Sequence, residues 1–425
     1  MIVFYGRAKV WLAFQELCHF LDKKCHVVDD HDETIDIELL ERADVIVPTP
    51  GIPQTHTIYR QFPDKIVSEL DMCQCIMDEQ WVQPMTVGIT GTDGKSTVTW
   101  IIAQTLTQIL PSDKYQVHIT GNFDEPLSKT ILNILQQIRK PDQQVWAQHV
   151  FVMECSSFML YPTKKYHFDI GVRTNFAPDH LNRHPSLDEY FRAKEQLIAL
   201  SNRSFVDSNV YSKLDSTSTP KSQIYPTEYD LTTTHFIGNH NARNCALAFS
   251  TVYAFCSLHH IAVTDNAIHQ AIGMVLPLKH RMQPITTIDG ITRYDDGKST
   301  SAQSLGAALE WFTSPCVVMV GGSDKGDNFD HLVSAFKKHT CYGICIWQTA
   351  EKFAGLFEAA GIPHTIVSSM QENVATAREK AQELWAASIL FSPGCASLDM
   401  FRNYEDRAQQ FLTEIDGIKR KNTEK

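Results

Sequence analysis

The residues with the clearest chemical potential form a glycine-rich turn that ends in lysine and serine. The string Gly88-Ile89-Thr90-Gly91-Thr92-Asp93-Gly94-Lys95-Ser96-Thr97 lies between a short apolar run and a segment with helical spacing of apolar residues. Glycines allow backbone N–H groups to turn toward phosphate oxygens, and the start of a helix adds a positive dipole end. Lys95 would neutralise the terminal phosphates, and Ser96 would hold Mg²⁺. The string predicts an ATP site comprising Gly91, Thr92, Asp93, Gly94, Lys95, Ser96 and Thr97.

This turn departs from the general phosphate-loop pattern, which places four residues between the first glycine and the Gly-Lys pair. Gly88 stands one residue too early, and Ile89 occupies the expected place. The alternative interpretation is a glycine-rich turn that binds no nucleotide. The succession of strand, loop, Lys-Ser pair and helix favours a variant phosphate loop.

A carboxylate that could accompany this loop follows another strand-like run. His149–Met153 leads directly into Glu154-Cys155-Ser156-Ser157-Phe158. An acid at the end of a buried parallel strand is well placed to meet Mg²⁺ above the edge of the sheet. Read alone, Glu154 has an equally good interpretation as the acid that begins a helix.

Short apolar runs alternate with helical segments along the whole chain, which predicts an α/β fold with parallel sheets. We divide it into three domains, at residues 1–83, 84–278 and 279–425. The clearest predicted strands are Ile2–Phe4, Thr86–Ile89, Phe168–Val172, Cys316–Val320 and Ser388–Phe391. At 425 residues the chain is long enough for several cores.

Charge and composition exclude several classes of protein. The formal net charge of −11 disfavours a nucleic-acid or anionic-membrane partner, since phosphate-rich polymers attract basic faces. Arg7 and Lys9 interrupt the N-terminal apolar run, and no apolar stretch reaches the ~20 residues of a spanning helix. We therefore expect a cytoplasmic protein.

The 11 cysteines lack zinc-site spacing, and Cys341 and Cys345 are expected to be buried and reduced.

The variant loop resembles that of the Mur ligases and of their relatives, the folylpolyglutamate synthases. These enzymes activate a carboxylate with ATP as an acyl phosphate, which an amine then attacks. The resemblance implies a Rossmann-like N-terminal domain for a UDP-linked substrate. It also implies a central P-loop ATPase-like domain and a Rossmann-like C-terminal domain for the incoming amino acid.

Two further strings resemble the metal-binding segments of the family. Asn175–Arg183 is similar to Asn-x-x-x-Asp-His-x-x-Arg, whose histidine binds a second Mg²⁺, which gives His180 that role. Tyr190–Glu195 is similar to the segment that carries a carbamylated lysine, which gives Lys194 the role of a metal ligand. Read alone, Lys194 is an exposed helix lysine. The resemblance thus implies two Mg²⁺ ions held by Ser96, Glu154, His180 and carbamylated Lys194, and catalytic roles for Lys95, His180 and Lys194.

Amide side chains open a later apolar helix. Asn241 and Asn244 share one helix face and could read the edge of adenine, although Asn241 could instead cap the helix. The string resembles the His-Asn-x-x-Asn of Mur ligases, whose asparagines contact ATP. Lys279–Gln283 resembles the family's hinge string, in which Arg281 would reach the ATP phosphates. The resemblance adds Asp296 to the ATP site.

The C-terminal strings resemble the branch of the family that adds D-glutamate. Ser392–Arg407 is close to Ser-Pro-x-x-Ala-Ser-x-Asp-x-Phe-x-Asn-Phe-x-x-Arg, with Tyr404 in place of phenylalanine. Tyr294–Ser301 matches Asn-Asp-Ser-Lys-Ala-Thr-Asn in part, with Gly297, Ser299 and Ser301 departing from it. The implied reaction joins D-glutamate to UDP-N-acetylmuramoyl-L-alanine, a peptidoglycan precursor, and we expect a monomer. The implied substrate-binding residues are Asn122, Ser156, Lys298, Thr300, Lys325, Ser397, Leu398 and Tyr404.

The N-terminal block departs most from the family. Gly6-Arg7-Ala8-Lys9 replaces a loop with several glycines that grips the UDP phosphates, whereas Pro48–Pro53 matches the family's Pro-Gly-Ile-Pro. Asp29 or Asp30 could meet the uridine ribose. Two alternatives remain: another Mur-type or folylpolyglutamate-type ligase, or a nucleotide-binding regulator without catalytic activity.

Overall fold

A computed structural model describes residues 1–7, 9–31, 36–53, 55–123, 125–139, 147–178, 183–215, 222–226, 228–236, 238–324, 329–397 and 399–423. The chain forms two compact units, Met1–Leu276 and Pro277–Lys425. The predicted boundary between residues 83 and 84 divides the first of these units, and it remains a prediction.

The first unit begins with a small parallel sheet. Its strands are β1 (Ile2–Tyr5), β2 (Cys25–Val28) and β3 (Val45–Pro48), in the order β2-β1-β3. Every residue of β1 is buried, as expected for a central parallel strand with both faces covered. The helices are α1 (Lys9–Phe20), α2 (Ile37–Arg42), α3 (Ile58–Gln61) and α4 (Glu69–Glu79).

The same unit contains a six-stranded parallel sheet in the order β5-β6-β4-β7-β8-β9. The strands are β4 (Met85–Thr90), β5 (Tyr115–Gly121), β6 (Gln148–Glu154), β7 (Phe168–Arg173), β8 (Ser201–Val206) and β9 (Ser222–Ile224). The helices are α5 (Lys95–Ile109), α6 (Leu127–Ile138), α7 (Ser157–Leu160), α8 (Leu187–Ala199), α9 (Ser208–Tyr211), α10 (Asn239–Leu258) and α11 (Asp265–Met274). Because neighbouring strands are parallel, β4, β5, β6 and β7 deliver their carboxyl ends to one edge.

One apolar cluster joins the two sheets of this unit. It contains Phe4 and Phe14 from the N-terminal block together with Leu132, Phe151 and Leu197 from the larger sheet and its helices. A shared core of this kind explains why residues 1–276 form a single compact unit.

The second unit is built on a six-stranded sheet in the order β10-β11-β15-β12-β13-β14. The strands are β10 (Gln283–Ile288), β11 (Ile291–Asp295), β12 (Cys316–Val320), β13 (Thr340–Ile346), β14 (His364–Val367) and β15 (Ser388–Phe391). The helices are α12 (Ala302–Leu309), α13 (Leu332–His339), α14 (Ala350–Ala360), α15 (Met370–Glu383) and α16 (Tyr404–Thr423). Among the strands of this sheet in the described ranges, β10 and β11 pair in an antiparallel manner and the others in parallel. β15 lies between β11 and β12, so the order in which successive strands are added to the sheet reverses at this point. Ligands of α/β sheets bind at such switch points.

The structure confirms the α/β fold with parallel sheets. The cysteines are unpaired, and Cys345 is buried as predicted, but Cys341 is only half-buried. It is the second residue of β13. None of the helices in the described ranges combines the length and apolar character needed to cross a membrane.

Candidate active site

The predicted phosphate loop turns between β4 and α5, and Lys95 is the first residue of the helix. Gly91 has φ +145°, and a Cβ there would lie 1.9 Å from Thr174 Oγ1. Gly94 has φ +79°, a conformation that side chains disfavour. The amine of Lys95 donates to the carbonyl of Thr92 at 2.8 Å, so it lies folded over the loop.

Two of the four predicted metal ligands meet at this point. Ser96 Oγ donates to Glu154 Oε2 at 2.6 Å, and both side chains are buried. Asn122, at the end of β5, donates its amide to the other carboxylate oxygen of Glu154 at 2.7 Å. A hydroxyl beside a carboxylate at a phosphate loop is the oxygen donor set that Mg²⁺ prefers. These side chains therefore fit Mg²⁺, with further ligands expected from phosphates.

A neighbouring strand end holds the loop in shape. Asn175 follows β7, and its Oδ1 accepts hydrogen bonds from the backbone N–H groups of Thr92 and Asp93 at 3.0 and 2.9 Å. Thr174 Oγ1 donates to the carbonyl of Asp93 at 2.5 Å. Sequence reasoning quoted Asn175 within a motif but gave it no role. Its partners lie more than 80 residues away along the chain, so only the strand order brings them together.

Lys194 is 2% exposed on α8, which overturns the interpretation as an exposed helix lysine. Its amine donates to the carbonyl of Gly91 at 2.5 Å and lies 4.7 Å from the centre of the Tyr190 ring. The Tyr190 hydroxyl lies 3.2 Å from Thr92 Oγ1. The predicted lysine thus contacts the phosphate loop directly.

His180 lies outside the described residues, but both flanking segments are anchored. On one side, Ala177 N–H donates to Thr92 Oγ1 at 3.0 Å. On the other, buried His184 lies 2.9 Å from Ser157 Oγ, and Arg183 donates to the carbonyl of Pro50 at 3.0 Å. These anchors connect the predicted metal-binding segment to the phosphate loop and to the segment Pro48–Pro53.

One of the two predicted adenine-binding asparagines lies beside the loop. Asn244 donates to Asn241 Oδ1 at 3.2 Å, and a Cβ on Gly94 would lie 2.9 Å from Asn244 Oδ1. The helix α10 has Gly238 as its N-cap, so capping by Asn241 was the wrong alternative. Ser156 instead caps the short helix α7 through Met159 N–H, at 3.2 Å.

In the second unit, Asp296 follows β11 and is buried. Its carboxylate accepts from Ser392 Oγ at 2.7 Å and from Met282 N–H at 3.2 Å. Burial raises the pKa of Asp296 to about 7, against the opposing charge of Arg281. Within the described residues, Arg281 Nε is buried without a hydrogen-bond partner. Arg281 and Asp296, both predicted to bind ATP, therefore lie close enough to interact electrostatically.

The described members of the predicted amino-acid site follow β11 and β15. The Lys298 amine lies 5.2 Å from the centre of the Tyr404 ring, and the Tyr404 hydroxyl donates to Glu405 at 3.1 Å. Ser397 is buried, and Thr300 is half-buried just before α12. Lys325 and Leu398 lie outside the described residues.

Arg407 is a residue that sequence reasoning left without a role. Its guanidinium is fully buried and donates to the carbonyls of Cys395 at 2.8 Å, Ala396 at 3.1 Å and Gly297 at 3.0 Å. It therefore ties the loop after β11 to the loop after β15. Burial lowers its pKa to about 10, which leaves it charged at neutral pH. The sequence Ser392–Arg407 alone did not indicate these backbone partners.

Gly297 also explains one departure from the family string. A Cβ at Gly297 would lie 2.7 Å from Ala408 Cβ, so α16 packs against the backbone at this point. A serine there would collide with the helix.

At the N-terminal sheet, Gly6 has φ +100°, and a Cβ there would lie 2.4 Å from Thr49 Oγ1. Asp29 accepts from the backbone N–H groups of Arg7 and His31, at 2.6 and 3.0 Å, which lowers the pKa of its carboxyl. Asp30 accepts from the Tyr5 hydroxyl at 2.6 Å. Gly6 therefore adopts a left-handed conformation at the end of β1, and two carboxylates follow the neighbouring strand β2.

Comparison with known proteins agrees with this site. Residues 89–206 match the Mur ligase middle domain. These residues contain the phosphate loop, Glu154 and Lys194. The chain therefore contains a Mur ligase middle domain.

Relatives match this chain along most of its length. It is 28% identical over 422 residues to UDP-N-acetylmuramoylalanine–D-glutamate ligase of Nitrosomonas europaea, covering 90% of this chain and 85% of that protein. It is 29% identical over 395 residues to the enzyme of that name from Aquifex aeolicus, covering 89% of each. The crystal structure of UDP-N-acetylmuramate–alanine ligase from Thermotoga maritima matches with a TM-score of 0.54 at 13% identity, over 98% of this chain and 99% of that one. The last match supports the fold alone.

Proposed function

We propose that this protein joins D-glutamate to UDP-N-acetylmuramoyl-L-alanine, with ATP converted to ADP and phosphate. The observation that carries the proposal is the meeting of Ser96, Glu154 and Lys194 at one phosphate loop. These residues form a site that suits ATP and a metal ion. The chain is also similar in length and sequence to D-glutamate ligases, which favours this reaction over other uses of the fold.

The first step transfers the γ-phosphoryl group of ATP to the alanine carboxylate of the nucleotide sugar. The backbone N–H groups of the loop 91–94 would bind the phosphates, with Asn175 holding two of the loop's peptides in place. Lys95 would leave the Thr92 carbonyl and neutralise the charge that develops between donor and acceptor. The products of this step are ADP and an acyl phosphate.

Ser96 and Glu154 would hold Mg²⁺, which neutralises phosphate charge when it is bound. We propose His180 as the ligand of a second Mg²⁺ and a carbamate on Lys194 as another. Lys194 is buried against the Gly91 carbonyl and the Tyr190 ring, which would hold a carbamate on its amine beside the phosphate loop. Asn122 would orient the Glu154 carboxylate.

The second step is attack of the D-glutamate amine on the acyl carbon. The C–N bond forms, the C–O bond to phosphate breaks, and the amine loses a proton. We assign recognition of the amino acid to Lys298, Thr300, Lys325, Ser397, Leu398 and Tyr404. The cationic Lys298, close to Tyr404, suits a substrate with two carboxylates. Ser156 would contact the acceptor end of the nucleotide sugar.

The remaining assignments complete the proposal. Asn241, Asn244, Arg281 and Asp296 would bind the nucleotide. The three domains, divided after residues 83 and 278, would bind the UDP-linked substrate, ATP and the amino acid, in that order along the chain. We propose a cytoplasmic monomer, since its proposed substrates are small molecules.

Phosphate release tests this proposal. ATP, Mg²⁺ and UDP-N-acetylmuramoyl-L-alanine are supplied with D-glutamate, with L-glutamate, with other amino acids, or with none. Turnover that requires both the nucleotide sugar and D-glutamate supports the proposal. Turnover with another amino acid, or with a folate, identifies a different ligase of the same fold. Binding of nucleotide without turnover on any acceptor identifies a regulator and refutes the ligase assignment.

A further inference from the structure

Arg173 occupies an unusual position for a cation. It is the last residue of β7 and pairs with Thr90, the last residue of β4, immediately before the phosphate loop. Its side chain is fully buried. Its guanidinium carbon lies 3.9 Å from the centre of the Phe191 ring and 5.4 Å from that of Phe176.

The guanidinium of Arg173 lacks the bonds that normally accompany a buried charge. None of its three nitrogens has a hydrogen-bond partner within the described residues. Glu195 is the nearby carboxylate, but its oxygens already accept from Arg192 at 2.5 Å and from Asp215 N–H at 2.9 Å. Burial lowers the pKa of Arg173 to about 9, with Glu195 opposing the shift, so the group remains charged at neutral pH.

A buried guanidinium without hydrogen bonds lowers the stability of the folded protein. Replacing a buried charge with an apolar side chain of similar volume is often neutral or stabilising, because the desolvation cost disappears. The two aromatic rings offset part of this cost through their π faces, but a methionine would also pack well against them. Stability alone therefore does not explain an arginine here.

The two rings belong to two segments that hold the phosphate loop. Phe176 follows Asn175, which accepts two N–H groups of the loop. Phe191 lies one helical turn before Lys194, which donates to Gly91. The rings contact each other edge to face at 5.0 Å, with Arg173 against both.

We propose that Arg173 is a positioning residue for the nucleotide site: its guanidinium fixes the Asn175 segment and helix α8 relative to each other, and thereby fixes the loop between them. A planar cation can stack on two rings at once, which neither lysine nor an aliphatic side chain does. The inference deepens the proposed function, since it concerns the same ATP site, but it does not depend on which acceptor the enzyme uses.

The test uses full-length Arg173→Met, with two readouts that need no acceptor substrate: thermal unfolding and the dissociation constant for Mg·ADP by titration calorimetry. We expect the melting temperature to stay unchanged or to rise by about 2–4 °C, while Mg·ADP binds about 10-fold or more weakly. Phe191→Leu removes the nearer ring and should also weaken Mg·ADP binding. Lys213→Met is the matched control, because Lys213 lies 5.1 Å from the Phe176 ring but is exposed.

The outcomes separate this inference from its alternatives. A lower melting temperature with unchanged Mg·ADP affinity in both Arg173→Met and Phe191→Leu would show a purely structural role and overturn the inference. Unchanged affinity and unchanged stability would overturn it as well. Failure of the wild-type protein to use D-glutamate would refute the proposed substrate, while the Mg·ADP comparison would still decide the role of Arg173.

Discussion

Ser96 Oγ and Glu154 Oε2 lie 2.6 Å apart, although 58 residues separate them in the sequence. One comes from the first turn of α5 and the other from the last residue of β6. The neighbouring pairing of β4 and β6 brings them together at one edge of the sheet. This contact defines where phosphate, metal and carboxylate chemistry would meet.

Changing Glu154→Gln should abolish most metal-dependent turnover. The amide still accepts from Ser96 but is neutral, so it offsets the charge of Mg²⁺ poorly. We expect a loss on the order of 100-fold or more, with little change in thermal stability. Glu125→Gln is the control, since the Glu125 carboxylate accepts from Asn133 on the same side of the sheet, and it should change turnover by no more than about twofold. Equal activity of Glu154→Gln and wild type at limiting Mg²⁺ would contradict the metal assignment.

Gly91→Ala should disable the phosphate loop. Its φ of +145° is unfavourable for alanine, and the new Cβ would lie 1.9 Å from Thr174 Oγ1. The backbone must shift, at a cost of about 1–3 kcal/mol in unfolding free energy, and Mg·ADP should bind at least about 10-fold more weakly. Gly355→Ala is the matched substitution. It lies inside α14 with nothing within 4 Å, and should stabilise the protein by about 0.5–1 kcal/mol. Normal Mg·ADP binding by Gly91→Ala would mean that nucleotide does not use this loop conformation.

Arg407→Lys should loosen the amino-acid site. Lysine cannot reproduce the fork that donates to Cys395, Ala396 and Gly297, so buried carbonyls lose partners. We expect a loss on the order of 3 kcal/mol in unfolding free energy and a raised KM for the amino acid. Arg402→Lys, at an exposed pair with Asp406, should cost less than about 0.5 kcal/mol. If both variants unfold alike in urea, the buried arginine does not organise these loops.

Glu69 should make stability depend on pH. Burial raises its pKa from 4.5 to about 7, with the Ser128 backbone opposing, and Oε1 has no partner in the described part of the chain. Below pH 4.5 the carboxyl is protonated in both states. Between pH 4.5 and 7 only the unfolded state loses the proton, so the folded protein loses stability as pH rises.

Glu69→Gln should therefore raise the unfolding free energy by about 2–3 kcal/mol at pH 8 and by much less at pH 5. Urea unfolding at the two pH values measures this difference. Glu79→Gln, at the exposed end of the same helix, is the matched control for the substitution itself. A gain that is equal at both pH values would argue that packing, not ionisation, explains the change.

The sequence predicted those parts of the site whose conformation is local. The glycine pattern before Lys95 requires a left-handed turn at a helix start, and an apolar run before Glu154 requires a buried strand. The family resemblance supplied Lys194, whose burial no local pattern could show. The roles of Asn175, Arg173 and Arg407 depended on strand order and on helix packing, because their partners lie on other elements. Only the folded chain reveals such contacts.

The measurement that tests the central claim most directly follows one oxygen atom. UDP-N-acetylmuramoyl-L-alanine labelled with ¹⁸O in its alanine carboxylate is incubated with the enzyme, ATP, Mg²⁺ and D-glutamate, and the released phosphate is analysed by mass spectrometry. An acyl phosphate intermediate predicts one ¹⁸O in each phosphate, together with the new amide. Unlabelled phosphate, or phosphate released without amide, would contradict the account.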